Sequence, residues 1–168
     1  MNNLLNFPVT EINAATSSDL DAIAEMVNHN WHETYSSHLP STLCNERNPR
    51  VFRKQLERNL GNSTIARVGH KIVGYTDHVS NCIDNLWVTA RYRRHGIATQ
   101  LMHAQLQLLL DKGMQSAQVG CESFNHAGIG FYEHHGWNVI DETLVTIATG
   151  YNIGVIVYGI RLNSKEQL

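Results

Sequence analysis

The sequence predicts an α/β protein in which a mixed sheet carries helices on its faces. Segments with helical spacing of apolar residues alternate with β-rich segments, in the order β-α-α-β-β-β-α-β-α-β-β. The chain has 168 residues, of which 42% are hydrophobic. This is enough for one core, so we expect a single domain over residues 1–168. No repeat, low-complexity tract or linker divides the chain.

The first two elements are predicted to be a strand and a helix. Residues 7–14 favour a strand. Ser18 and Asp21 resemble a capping box at the start of the helix. Apolar residues then recur at helical spacing from Leu20 to Trp31.

A polar connection and a second helix follow. Residues 34–48 are irregular and predict a loop, with room for a short helix. Asn48 and Pro49 are typical of a helix start, an N-cap side chain followed by proline in the first turn. The apolar stripe of this helix runs to Leu60, and Gly61 is expected to end it.

The middle of the chain predicts three strands. Residues 63–68 and 72–79 are β-rich and flank Gly69 and His70, a hairpin signal. In the third strand, residues 82–88, Ile83 is out of phase with the later apolar positions. A β-bulge near Asp84 and Asn85 would reconcile them, although a strand buried on both faces breaks alternation too.

The C-terminal half predicts helix, strand, helix and hairpin. Residues 96–112 carry the strongest helical pattern, and residues 117–121 alternate as a strand. Asn125 is expected to cap a shorter helix that ends at Gly136. Residues 139–148 and 153–162 predict the terminal hairpin.

Composition excludes several classes of protein. The net charge of −2 argues against a nucleic-acid binder. Three widely separated cysteines form no metal or disulfide motif, and no run of apolar residues is long enough to span a membrane. The start of the chain lacks a signal-peptide pattern. We therefore expect a cytoplasmic protein that acts neither on nucleic acid nor on a membrane.

The segment from Val88 to Met102 carries the chemistry. A strand ends, a loop with Arg91, Arg93 and Arg94 follows, and a long helix begins at Gly96. Free N–H groups at a helix start bind anions, and the arginines add charged donors. A diphosphate fits this pattern, and a solvated basic turn is the simpler alternative. Neither the P-loop nor the dinucleotide fingerprint is present.

Two motifs resemble those of the GNAT acetyltransferase superfamily. Arg93 to Ala98 has Arg, two residues, Gly, one residue and Ala, which fits the first signature of that family. Asn125 to Trp137 resembles its second block, with Asn, Tyr, Gly and Trp in register. Residues 12–20 and 31–40 are also similar to the family, so the resemblance covers nearly the whole chain. It implies a mixed, mostly antiparallel sheet of six to seven strands with about four helices.

The resemblance implies a site for acetyl-CoA and no metal. Backbone groups would pair with the pantetheine arm and hold the pyrophosphate, and Asn125 would hydrogen-bond the arm. The implied cofactor-binding residues are Leu86, Val88, Arg93, Arg94, His95, Gly96, Ala98, Thr99 and Asn125. Two glycines, Gly128 and Gly130, depart from the family pattern, because they stand inside the second helix and disfavour it by about 1 kcal/mol each.

The implied reaction is transfer of the acetyl group to a primary amine, by direct attack on the thioester. Tyr132 would be the general acid for the leaving thiolate, with aromatic packing as the alternative role. Asp84 is our candidate base. Glu33, His78 and Glu122 are rivals, and a water relay is a further option. A non-catalytic acyl-CoA-binding or sensor domain on the same scaffold is the alternative function.

The acceptor is expected to be a small-molecule or peptide amine. Trp31 and Tyr35 are the candidate acceptor-binding residues, since aromatic and acidic groups suit a cationic amine. The terminal hairpin is a candidate homodimer interface. His29, His32 and Glu33 could share a helical face, but no further ligand completes a metal site, so we interpret the ten histidines as scattered surface residues.

Overall fold

The computed structural model describes residues 9–147 and 150–162. Seven strands of this part form one sheet in the order β1-β2-β3-β4-β5-β7-β6. The strands are β1 (Thr10–Ala14), β2 (Ser63–Val68), β3 (Lys71–Val79), β4 (Cys82–Val88), β5 (Ser116–Glu122), β6 (Asn138–Ile147) and β7 (Tyr151–Arg161). All neighbours pair antiparallel except β4 and β5, which run parallel. The predicted mixed sheet is confirmed.

Five α-helices accompany the sheet in the described residues. They are α1 (Leu20–Tyr35), α2 (Ser41–Glu46), α3 (Pro49–Arg58), α4 (Ile97–Asp111) and α5 (His126–His134). Three short 3₁₀ turns lie at Ser17–Asp19, Leu60–Asn62 and Ala90–Tyr92. The resemblance implies about four helices, and the structure has one more. The additional helix is α2, which forms inside the segment predicted as a loop with room for a short helix.

Two details of the N-terminal prediction are wrong. The capping box is formed by Thr16 and Asp19 rather than by Ser18 and Asp21, because a 3₁₀ turn precedes α1 and shifts its start. The last apolar position predicted for α3, Leu60, lies beyond the end of that helix, in a second 3₁₀ turn. Residues 7 and 8 of the predicted first strand, and residues 148 and 149 of the predicted hairpin, lie outside the described residues.

The helices lie on opposite faces of the sheet. Apolar side chains of α1 and α3 pack on one face with Ile65 and Tyr75. On the other face, α4 and α5 pack with β5 and β7 around Met102, Tyr132 and Tyr158. Since successive residues of a strand point to opposite faces, β3 contributes to both layers. The functional groups described below lie where β4 and β5 meet these helices.

Candidate active site

Strands β4 and β5 separate after a short parallel pairing. Only Cys82 and Ile83 of β4 pair with β5, opposite Gln118 and Val119. Beyond Ile83 the strands diverge, and a cavity of about 760 Å³ opens between them. Its walls come from β4, β5, the loop before α4, the first turn of α4, α5 and the end of α1.

The diverging edge of β4 presents backbone groups that do not pair with β3 to this cavity. Leu86 lies opposite Thr76 of β3 and Val88 lies opposite Gly74. The Thr89 N–H donates to the Val73 carbonyl at 2.9 Å. Hydrogen-bonded pairs alternate along an antiparallel ladder, so the backbone groups of Leu86 and Val88 point away from β3 and toward the opening. An extended ligand can therefore pair with this edge as an added strand.

The first turn of α4 forms a cradle at one end of the cavity. Gly96 has φ of 75° and Arg94 has φ of 64°, both in the left-handed region. No side chain caps the helix, so its first N–H groups remain available. A Cβ at Gly96 would meet nothing within 4 Å, so the glycine is required by its backbone conformation. Uncapped N–H groups beside Arg94 suit the phosphates of a nucleotide.

The side chains of Arg93 and His95 contact backbone carbonyl groups of the protein. Arg93 Nε donates to the Val88 carbonyl at 2.9 Å, and its Nη2 donates to Glu33 at 2.9 Å. The arginine therefore ties the end of β4 to α1. His95 Nδ1 lies 2.7 Å from the Arg93 carbonyl, and His95 is absent from the cavity wall, whereas Arg93, Arg94, Ala98 and Thr99 line it.

Asn125 and Gly128 shape the start of α5. The Asn125 Oδ1 accepts a hydrogen bond from the Gly128 N–H at 3.0 Å, so the predicted cap is present. A Cβ on Gly128 would lie 2.8 Å from the Cys121 Sγ of β5. The glycine thus allows α5 to approach β5 closely. Asn125 also lines the cavity.

Tyr132 reaches the cavity from the middle of the α5 packing surface. Tyr132 is 7% exposed, and its ring packs against the rings of Phe131, Trp137 and Tyr158. Burial raises the pKa of its hydroxyl, and the neighbouring Cys121 and Glu122 raise this pKa further. The hydroxyl therefore keeps its proton at neutral pH. No hydrogen-bond partner for it is found among the described residues.

Two histidines contradict the interpretation of the histidines as scattered surface residues. His135 lines the cavity, where its Nε2 lies 3.0 Å from the Thr99 hydroxyl and its Nδ1 lies 2.8 Å from the Phe131 carbonyl. His135 thus links the end of α5 to the first turn of α4. His78 is 1% exposed.

Aromatic and acidic side chains form another part of the cavity wall. Tyr35 and Glu122 line the cavity, with burial and the Glu122 carboxylate raising the pKa of the Tyr35 hydroxyl. Trp87 lies on the same wall, 6.0 Å from Tyr35 between ring centroids. Trp31 does not line the cavity. It packs behind Tyr35, with the ring centroids 5.0 Å apart.

Asp84 occupies a β-bulge. Asp77 pairs with Asn85 and His78 pairs with Ile83, so Asp84 is the extra residue of β4 and the predicted bulge is confirmed. Asp84 lines the cavity and is exposed to solvent. Partial burial of its carboxylate raises its pKa, and the charge of Asp77 raises it further.

Of the three rival bases, only Glu122 reaches the cavity wall. Glu33 is paired with Arg93. His78 lies on the α4 face of the sheet, with its Nδ1 2.5 Å from the Gln105 Oε1 and its Nε2 2.9 Å from the Lys112 ammonium. Alternation along β3 turns His78 away from the face that Asp77 occupies.

The described residues form neither a metal centre nor a membrane-spanning helix. Over residues 9–147 and 150–162, no three His, Cys, Asp or Glu side chains come together in a group that could hold a metal ion. None of the helices in this part of the chain is long and apolar enough to cross a membrane.

A sheet that opens beside an uncapped helix start is the architecture of an acyl-CoA-dependent acetyltransferase. The model of the Acetyltransferase (GNAT) family matches residues 20–137, which is more than half of the chain. The chain therefore belongs to the GNAT family of acetyltransferases, whose members transfer an acyl group from acetyl-CoA. A search of curated protein sequences finds no match.

Solved structures share the fold at low sequence identity. PaiA N-acetyltransferase from Thermoplasma acidophilum, solved in complex with coenzyme A, has a TM-score of 0.71 at 15% identity, covering 89% of this chain and 98% of its own. YncA from Salmonella typhimurium, solved with its cofactor acetyl-CoA, has a TM-score of 0.71 at 17% identity, covering 95% and 98%. Ard1 from Thermoplasma volcanium also has a TM-score of 0.71 at 17% identity, covering 92% and 99%.

Proposed function

We propose that this protein transfers an acetyl group from acetyl-CoA to a primary amine by direct attack of the amine on the thioester. The observation that carries the proposal is the open edge of β4 beside the uncapped start of α4. Acetyl-CoA supplies the activated acyl group and a stable thiolate leaving group. Its elongated shape, with a diphosphate partway along, matches a strand edge that leads to an anion cradle.

Each predicted binding residue has a role in holding this substrate. The backbone groups of Leu86 and Val88 pair with the pantetheine arm. The loop and first-turn amides hold the pyrophosphate, with Arg94 adding charge; this set is Arg93, Arg94, Gly96, Ala98 and Thr99. His95 lies off the cavity wall and supports the loop through its contact with the Arg93 carbonyl. The Asn125 Oδ1 serves as the cap of α5, so its amide N–H groups are the donors left for the pantetheine arm.

Starting from the protonated amine, the nitrogen loses two protons and the sulfur gains one. Asp84 accepts a proton from the acceptor ammonium, because a free alkyl amine is otherwise protonated at neutral pH. The amine nitrogen then forms a bond to the thioester carbonyl carbon, and the Val88 N–H stabilises the oxyanion. As the C–S bond breaks, the nitrogen releases its second proton to solvent, while Tyr132 donates its proton to the sulfur and regains one from solvent.

The acceptor is proposed to be a cationic amine. Asp84 and Glu122 are the carboxylates of the cavity wall, and Tyr35 and Trp87 add aromatic faces that attract ammonium groups. Trp31 acts indirectly: it packs against the ring of Tyr35 and holds that ring in place.

The test is an acetylation screen with acetyl-CoA and a panel of polyamines, aminoglycosides, amino acids and peptides, read as free thiol and acetylated product. We expect amine-dependent thiol release, and Tyr132→Phe should lower kcat about a hundredfold with little change in acetyl-CoA affinity. Phenylalanine preserves the ring contacts, so it isolates the hydroxyl. Binding of acetyl-CoA without thiol release for any amine would instead favour the sensor function.

We also propose that the protein is cytoplasmic and forms a homodimer through β6 and β7. Support for the dimer comes from β6, an edge strand with exposed apolar side chains, among them Val139, Ile140 and Leu144. An exposed apolar edge strand is prone to pair with a second chain. Sedimentation equilibrium should therefore give twice the monomer mass, and Leu144→Lys should restore the monomer.

A further inference from the structure

Four polar or aromatic side chains form a cluster on two paired strands. Tyr75 lies opposite Trp87, and Asp77 lies opposite Asn85. Residues two apart on a strand share a face, so all four occupy the face that α1 and α3 cover. We refer to Tyr75, Asp77, Asn85 and Trp87 as the β3–β4 cluster.

Asp77 is the buried centre of this cluster. It is fully buried and accepts three hydrogen bonds. Asn59 Nδ2 donates at 3.0 Å, the Tyr75 hydroxyl at 2.9 Å and Asn85 Nδ2 at 2.9 Å. Both oxygens act only as acceptors, which is the role of an ionised carboxylate. In the described part of the chain no cationic side chain pairs with Asp77, so its charge is neutralised by none of its partners.

Asn85 joins this buried carboxylate to Asp84. Its Nδ2 lies 2.9 Å from the Asp77 Oδ1 and 3.3 Å from the Asp84 Oδ2. The Trp87 indole N–H donates to the Asn85 Oδ1 at 3.0 Å. An indole nitrogen can only donate, so it fixes the oxygen of the amide toward Trp87 and the NH₂ group toward the two carboxylates.

The bulge makes this bridge possible. In a regular strand Asp84 and Asn85 would point to opposite faces. The extra residue in β4 breaks the alternation and brings the Asp84 carboxylate to the side of the Asn85 amide. One nitrogen contacts both acids, so the carboxylates lie within about 6 Å, a separation at which like charges repel appreciably.

We propose that Asp77 and Asn85 are positioning residues for Asp84: Asn85 orients the Asp84 carboxylate toward the acceptor, and Asp77 holds a buried negative charge beside that carboxylate. The proposal deepens the function given above and rests on Asp84 as the base. Neither Asp77 nor Asn85 takes a proton from the amine. Both act through the bulge residue.

The electrostatics of the site support this arrangement. Burial raises the pKa of Asp84, and the charge of Asp77 raises it further. The titratable groups facing Asp84 are Asp77 and Tyr75 of β3, Cys82 of β4 and, across the cavity, Glu122 of β5 and Tyr35 of α1. Of these, Asp77 is the carboxylate that Asn85 joins directly to Asp84.

The decisive experiment is a carbon-13 NMR titration of the Asp84 carboxylate in the protein without acetyl-CoA, assigned with Asp84→Asn. Asp77→Asn should lower the midpoint by about one pH unit, because the repelling charge is gone. Asn85→Leu should raise it by roughly half a unit, because the donor is lost and the charge of Asp77 remains. Tyr75→Phe, which removes another donor to Asp77 while keeping its charge, is the matched control and should leave the midpoint unchanged.

Opposite shifts distinguish the proposal from loosened packing, which would move every variant in the same direction. If Asp77→Asn does not fold, the test rests on Asn85→Leu. An unchanged or lowered midpoint of the Asp84 titration in that variant overturns the proposal. The titration does not depend on turnover, so it stands apart from the acetylation screen. If the enzyme is active, the pH at which kcat/KM for the amine falls on the acid side should shift among the variants in step with the NMR midpoints. If that pH does not shift, Asp84 is not the base of the reaction.

Discussion

The two glycines inside α5 should respond in opposite directions to alanine. Gly130 has no atom within 4 Å of the position that a Cβ would take. Gly128 has the Cys121 Sγ at 2.8 Å and the Asn125 Nδ2 at 2.9 Å from that position. Both glycines lie within α5, so alanine gains helix propensity at each. The difference between the variants therefore measures the crowding at Gly128, where Cys121 of β5 and the Asn125 cap both lie close.

The magnitudes follow from these distances. Gly130→Ala should stabilise the protein by about 1 kcal/mol, the difference in helix propensity. At Gly128 the same gain is opposed by overpacking against Cys121, which is buried. Overpacking destabilises by roughly 1–3 kcal/mol, so Gly128→Ala should lose about 1 kcal/mol net. For a chain of this length, 1 kcal/mol corresponds to about 2–4 °C in Tm.

Urea denaturation of the unliganded protein gives both values, with wild type as the reference. Combining Gly128→Ala with Cys121→Ala should recover part of the loss, because the shorter side chain makes room for the new methyl group. The double-mutant cycle should therefore show a favourable coupling of about 1 kcal/mol. Equal shifts for the two single variants, or no coupling in the cycle, would refute the close packing of α5 on β5 that positions Tyr132.

Two further predictions concern ion pairs. Asp19 is buried beside Arg67; burial raises its pKa, but hydrogen bonds from Thr16 and the Arg67 charge lower it more, so the folded pKa lies below the ordinary value. Asp19→Asn should therefore cost about 1–2 kcal/mol at pH 7, and a pH series of urea denaturations should show this difference shrinking below about pH 4. The pair of Glu33 with Arg93 is half-exposed, so Glu33→Gln should change the free energy of unfolding by less than about 1 kcal/mol, and a larger loss would contradict the exposed geometry.

Much of the fold could be predicted because local signals and tertiary structure agree. Asn48 does cap α3, with its side chain accepting from the Val51 N–H, and Gly96 does precede α4. The phase break at Ile83 located the bulge, because a sheet with a buried face fixes the register of each strand. The capping box was misplaced by two residues, since Thr16, Ser17 and Ser18 are all cap formers and only the 3₁₀ turn selects among them.

The site could be predicted less completely, because its contacts join residues far apart in the sequence. Nothing local in the sequence indicates that Arg93 pairs with Glu33, sixty positions away, or that His135 contacts Thr99. Trp31 and Tyr35 fall on one helical stripe, but only the packed structure shows that Tyr35 reaches the cavity and Trp31 stands behind it. No sequence motif includes Asp77, and its proposed role toward Asp84 depends on the pairing of β3 with β4.

We propose that acetyl-CoA lies along the open edge of β4 with its diphosphate at the start of α4. Amide proton–nitrogen NMR spectra recorded during a titration with acetyl-CoA test it directly. We predict saturable shifts concentrated at the amides of Leu86, Val88, Gly96 and Ala98, with the β1–β2 pair unaffected. Saturable binding whose shifts fall elsewhere, or the absence of any shift at millimolar acetyl-CoA (a concentration at which even weak ligands bind), would contradict it.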